Sequence, residues 1–197
     1  MPTKLKLVLI IALAFLALPG LAFASVGEIN SASPGAERIL VMSDGGLVVY
    51  SADGKLLPGF PIWPEGVFEG NPLINDFDGI AGSEIGIVER QAGDNYYLHL
   101  YNSSGIEISS VALPIFASDT NPIALYNYTN KKYSVIYSTV QGDVKEMIFN
   151  AGAWSNNLII TGSGTEAFLS TDSSKTLIYY AMKGSNQIKV YKKTAGW

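Results

Sequence analysis

Residues 71–85, Asn-Pro-Leu-Ile-Asn-Asp-Phe-Asp-Gly-Ile-Ala-Gly-Ser-Glu-Ile, set an acidic, glycine-containing turn between two short apolar runs. A hard divalent cation takes six or more oxygen ligands, which loops supply as alternate carboxylates and a backbone carbonyl. The chain therefore offers at most one metal-binding loop, and this is its place. The alternative is a turn shaped only by Asp76, Gly79 and Gly82, through side-chain bonds to the backbone and the conformational freedom of glycine.

Other reactive groups are sparse. There is no cysteine and one histidine, so a cysteine nucleophile is excluded and a zinc site would have to lean on carboxylates beside His99. Strand alternation sets His99 on the face of Tyr97 and Tyr101, opposite Leu98 and Leu100, as a half-exposed strand histidine. Serines are plentiful, but no nucleophile elbow offers one to His99. Glu65 and Glu69 bracket a proline-rich loop. They would act as glycosidase acids only with carboxyls about 5 or 6.5–9.5 Å apart, which a four-residue loop spacing does not establish. Ser170, Asp172 and Thr176 fall in register with the Asp-box hairpin of sialidase-like propellers, with Ser174 and Leu177 in place of its glycine and aromatic residue. Even complete, that hairpin is a folding device, and residues 170–176 are read as an ordinary turn. No constellation names a reaction, and the chain is expected not to be an enzyme.

Aromatic side chains are the better clue to binding. Phe60 and Trp63 lie in the proline-stiffened connector 58–64, Trp154 lies in Gly-Ala-Trp-Ser-Asn-Asn, and Trp197 ends the chain. Such rings stack on sugars or fill a pocket in a partner protein, because they supply large contact area with few rotors. The alternative is that they cover seams between sheets. Asn102 and Asn127 begin Asn-x-Ser/Thr triplets, which matter only where the source glycosylates by that rule.

These residues sit in a chain of short strands. Beyond residue 36, Val, Ile, Leu and Tyr come in runs of four to seven punctuated by Gly, Asn, Asp and Ser, and no window predicts a helix. Residues 39–42 and 47–50 flank an Asp-Gly turn suited to a hairpin, and a second turn at 51–55 leads into Leu56 and Leu57, a three-stranded meander. The phrase Leu-Val-Val-Tyr at 47–50 is echoed at 98–101, 146–149 and 188–191, its aromatics 51, 48 and 42 residues apart, a period expected of propeller blades. Asn71-Pro72 recurs 50 residues later as Asn121-Pro122, with a weaker third copy over 167–180. The expected fold is all-β, a propeller-like array of about four antiparallel blades, closed or open, in units 25–66, 67–116, 117–163 and 164–197. A blade cannot bury both faces alone, so neighbours must stack. Closure would be completed by residues 26–29 pairing with a late strand. An open stack, a fragment of a longer propeller, and another sandwich or barrel are the alternatives.

Residues 71–88, together with Ser-Ala-Asp-Gly-Lys-Leu-Leu-Pro-Gly-Phe-Pro at 51–61, resemble the FG-GAP and VCBS-type repeats of the integrin-alpha N-terminal propeller family. The resemblance covers about residues 37–90 and fades over 91–197 to strand spacing and the Asn121-Pro122 echo. It implies a calcium loop in which Asp76 and Asp78 are the first two ligands, Gly82 offers its carbonyl and Glu84 another carboxylate. Ile80 stands where the family has a third aspartate, which weakens the site. In the next repeat Tyr126, Tyr128 and Ser134 bring no carboxylate, so no second site is expected there. Family members commonly have about seven blades, more than the four units expected here.

The N-terminus sets the compartment. Lys4 and Lys6 precede an uncharged apolar run, a Pro19-Gly20 break and Ala22-Phe23-Ala24, the small-x-small form of a signal peptidase site, with cleavage before Ser25. The alternative is an uncleaved anchor, since residues 5–24 approach the roughly 20 needed to span a bilayer. No cysteine follows to carry a lipid. Removal of residues 1–24 takes away Lys4 and Lys6 and moves the formal charge from −4 to −6, a balance that disfavours nucleic acid. The expected protein is a secreted, periplasmic or cell-surface module that binds protein or glycan at the cell exterior through propeller-face loops, attached to a membrane only through residues 5–24. A structural component assembling through sheet edges is the second expectation, and a carbohydrate-active enzyme the third.

Overall fold

A computed structural model describes residues 21–28, 37–43, 45–51, 53–80, 82–118, 120–127, 131–162, 164–182 and 187–192. They form β1 (Leu21–Glu28), β2 (Glu37–Ser43), β3 (Gly46–Ser51), β4 (Val67–Asn75), β5 (Glu84–Gln91), β6 (Asn95–Tyr101), β7 (Glu107–Ala112), β8 (Ile123–Asn127), β9 (Lys132–Ser138), β10 (Val144–Asn150), β11 (Ala153–Ile160), β12 (Ala167–Thr171), β13 (Leu177–Met182) and β14 (Lys189–Lys192). The fold is all-β. Four antiparallel sheets follow one another along the chain, β1–β3, β4–β7, β8–β11 and β12–β14, each a meander of sequential neighbours.

Side-chain alternation explains how the sheets join. In β5, Ile85 and Ile87 enter a core with Leu40, Leu47 and Val49 of the first sheet, while Val88 turns to a second core with Leu98, Val135 and Tyr137. In β9, Val135 and Tyr137 face that second core and Ile136 a third, with Ile178 and Tyr180 of the last sheet. Each inner sheet thus contributes to two cores, which is why its strands are apolar at consecutive positions.

The recurring phrases take equivalent places. Residues 47–50, 98–101 and 146–149 lie on β3, β6 and β10, each the third strand of its sheet, and 188–191 leads into and along β14. Tyr101, Phe149 and Tyr191 each face the core shared with the preceding sheet. The first strands also meet: β1 lies beside β4, β4 beside β8, and β8 beside β12.

Two expectations about pairing are corrected. Val26 pairs with Ile39 in β2, not with a late strand, and β14 pairs with β13. The neighbouring strand is the nearer partner and no long loop has to close. Ile29 lies outside the described residues. The third strand expected at Leu56 and Leu57 is reduced to bridges from Leu56 to Tyr50 and from Ile62 to Leu47 along the edge of β3, because Pro58, Pro61 and Pro64 cannot donate to a ladder. Of the expected leader, residues 1–20 lie outside the described residues and residues 21–24 begin β1.

Candidate functional site

The acidic turn links β4 to β5. Its backbone N–H groups are taken by its own carboxylates: Gly79 donates to Asp76 Oδ1 at 2.7 Å, Ile80 to Asp78 Oδ1 at 2.7 Å and Phe77 to Glu84 Oε2 at 2.8 Å. Phe77 anchors the turn by burying its ring in the core between the second and third sheets. One oxygen from each of Asp76, Asp78 and Glu84 comes within 4.8 Å of the others. Burial pushes the Glu84 carboxyl up to about 7, the Phe77 N–H opposes that, and the charge of Asp78 adds to it. Asp76 is raised as well, chiefly by burial. Lys132, on β9, lies close enough to favour the charged form of Asp76, yet its ammonium donates to Phe149 O and to Asn150 Oδ1.

Three carboxylates drawn together, with the most buried one held toward its neutral form, are a donor set that a hard cation would satisfy. Asp76, Asp78 and Glu84 would hold it. Gly82, with φ of 141°, belongs to the same turn. Ile80 is 70% exposed and contributes no oxygen from its side chain.

A second constellation was not legible in the sequence. His99 on β6 is 8% exposed, which corrects the expected half-exposed histidine. Its Nε2 lies 2.7 Å from Glu89 Oε2 and its Nδ1 lies 3.5 Å from Glu107 Oε2, but neither ring nitrogen makes an aligned hydrogen bond. Glu89 is fixed separately, its Oε1 accepting from Gly66 N at 2.6 Å and its Oε2 from Gln91 Nε2 at 3.3 Å. The imidazole stacks on Tyr101 with centroids 6.0 Å apart and planes 14° apart. Glu89 and His99 meet because Glu89 pairs with Tyr97, which puts His99 diagonally across on the same face.

These residues line a cleft of about 590 Å³ whose other wall is Ile62, Trp63, Pro64 and Glu65 of the connector. Trp63 is 61% exposed. Its benzo ring packs against Gly46, where an added Cβ would stand 2.6 Å from Cζ3. The connector is tied beside it by paired bonds of 2.9 Å between the backbones of Leu47 and Ile62. The cleft therefore combines a fixed aromatic rim with carboxylate, imidazole and amide groups.

The remaining candidates are dispersed. Phe60 is buried in the core between the first two sheets, so it presents no binding surface. Trp154 is a seam residue: its ring packs on Phe149 and its Nε1 donates to Ser109 Oγ at 2.9 Å, joining β11 to β7. Trp197 lies outside the described residues, as do Tyr128 and Thr129 of the second glycosylation triplet. Asn102 Oδ1 accepts from Ser104 N and Ile106 N, so that side chain shapes its turn. Glu65 lines the Trp63 cleft, whereas Glu69 is bound to Arg90 Nε at 2.5 Å and lines a different one. Asp172 accepts from Thr176 N and Leu177 N, both at 2.7 Å, as a turn-forming residue does.

No family model matches the chain, and no curated protein matches it.

Proposed function

We propose that this chain is a non-enzymatic binding module of the cell exterior, and that it takes its ligand, a neutral glycan or a protein side chain, in the cleft beneath Trp63. The observation that carries this reading is the exposed Trp63 ring, held in place on Gly46 at the rim of a cleft that also holds Glu89, Gln91, His99 and Glu107. An aromatic face with planar acceptors beside it suits a sugar ring, whose apolar face stacks while its hydroxyls donate. Glu65, Glu89 and Glu107 disfavour an anionic ligand.

The four sheets are read as blades of a propeller-like array of the FG-GAP or VCBS type. Adjacency of successive first strands and the equivalent placing of the recurrent phrases support this. Export rests on the leader-like N-terminal sequence. Calcium, when bound to Asp76, Asp78 and Glu84, would offset two of their three negative charges and stiffen the turn between β4 and β5.

Binding of the purified protein to an array of neutral and acidic oligosaccharides tests the function. Trp63→Ala should abolish binding with little change in melting temperature, since the ring is mostly exposed. Undiminished binding by that variant would overturn the reading, as would hydrolysis of a polysaccharide by the purified protein.

A second reading, a component that assembles with its own copies, is favoured by the far face of the last sheet. Phe168 is 46% exposed and Val190 55% exposed there, on the side opposite the core. Light scattering would then show oligomers that Phe168→Lys dissociates.

A further inference from the structure

The first strands of the last three sheets enclose a cleft of about 520 Å³, lined among others by Asn71, Asn75, Asn121, Ser170 and Lys175. It is distinct from the Trp63 cleft and from the carboxylate cluster, and no step of the proposed function uses it.

Asn75, the last residue of β4, is 7% exposed. Its Oδ1 accepts from Lys175 Nζ at 2.7 Å. An ammonium can only donate, so this contact fixes which end of the amide is oxygen. The Nδ2 group is left buried without a hydrogen-bond partner, an arrangement that costs stability unless an acceptor arrives.

Lys175 is itself held for this position. It lies in the turn between β12 and β13 with φ of 54°, its N–H donates to Asp172 O at 2.9 Å, and its carbonyl accepts from Tyr126 N at 2.7 Å. Left-handed backbone at a non-glycine residue is unfavourable and persists only where surroundings impose it. Its ammonium stands 5.4 Å from the centroid of the Tyr133 ring. Across the cleft, Asn121 Oδ1 accepts from Asn71 N at 3.1 Å, tying the segment before β8 to β4. An ammonium and an orphaned amide N–H thus lie side by side.

We infer that this cleft binds a carboxylate, with one oxygen accepting from Lys175 Nζ and the other from Asn75 Nδ2, which a small turn of the Asn75 side chain brings out of burial. A carboxylate supplies two coplanar acceptors and one negative charge, matching one cation and one neutral donor. Its source is either a free small acid or an acidic side chain of a partner.

The test is titration of the isotope-labelled protein, without added divalent cations, with succinate, with a capped peptide carrying a single aspartate, and with uncharged succinamide at matched ionic strength. The Asn75 side-chain amide signal should shift and saturate with succinate or the peptide and stay still with succinamide. Succinate binding with no peptide binding identifies a free acid, and the converse a partner side chain; either result supports the inference. Lys175→Gly suits the left-handed backbone and removes the ammonium, so it should fold and weaken binding by about tenfold or more. If that variant does not fold, Asn75→Asp keeps an acceptor for Lys175 and removes the donor, and the rise in melting temperature with either carboxylate should vanish. An unmoved Asn75 signal with both carboxylates, an equal shift with succinamide, or unchanged affinity in Lys175→Gly would overturn the inference.

Discussion

The Trp63 ring rests on Gly46 so closely that no side chain fits between them, a Cβ at position 46 falling 2.6 Å from the ring. Gly46→Ala must displace either the indole or the start of β3. The expected result is a loss of about 1–3 kcal/mol, as in other overpacked sites, with a change in Trp63 fluorescence and weakened ligand binding. Trp63→Ala should lose the binding without that destabilisation. The pair of variants, followed by denaturant titration and ligand titration, separates the platform from the fold.

Calcium should raise the melting temperature. A ligand at a hundredfold excess over its Kd stabilises by about 2.7 kcal/mol, and the combined Asp76→Ala, Asp78→Ala variant should show no such rise. Calorimetry with calcium and with chelator checks both, and an identical melting temperature in the two conditions would remove the metal loop from consideration at the concentrations used.

The pH dependence of the metal-free protein follows from Glu84. Its carboxyl titrates near 7 in the folded chain against 4.5 when unperturbed. Between those values the folded state holds more protons than the unfolded one, so this group's contribution to stability declines as pH rises from about 4.5 through 7. Glu84→Gln should flatten that decline in chelator. Bound calcium should also flatten it, because the cation favours the charged form.

Trp154 joins the second and third sheets through Phe149 and Ser109. Trp154→Ala should cost about 2 kcal/mol, less than the ~3–5 of a fully buried ring because Trp154 is half-buried. It should leave ligand binding intact, which thermal melts and oligosaccharide titration would show together.

Asp172 is held well below the usual carboxylate range, first by Ser174 Oγ and further by the N–H groups of Leu177 and Thr176. A depressed folded pKa gives stability present above the ordinary aspartate range and lost as pH falls through the folded value. Asp172→Asn should therefore lower the melting temperature at neutral pH and reduce its acid sensitivity, and the same melts run at falling pH measure both.

The strands were legible where turn residues and alternation agree, as at 98–101 and 146–149, and the aromatic phrases marked equivalent strands before any pairing was known. The same periodicity did not reveal which face is covered twice. Tyr97 and His99 look like the wet side of β6, but that side faces the first sheet, with Tyr101 in their shared core and the proline-bearing connector walling the cleft that His99 lines. Glu89 meets His99 only if Ala92, Gly93 and Asp94 are read as the hairpin turn that brings Gln91 opposite Asn95. That turn was the available signal. The contact between Asn75 and Lys175, 100 residues apart, depends on the meeting of separate sheets and has no local trace. The acidic turn was legible because its three carboxylates lie within one loop.

Leu21, Phe23 and Ala24 of β1 pair with Ser43, Met42 and Val41 of β2, and the proposed export cleavage would fall directly after Ala24. Processing before Ser25 would strip the C-terminal half of β2 of its partner on that side and leave its backbone donors and acceptors open to water. Such an edge accepts an extended segment from another chain by strand addition. The proposed cleavage would then do more than release the protein: it would open a docking groove that the uncleaved chain fills with residues 21–24.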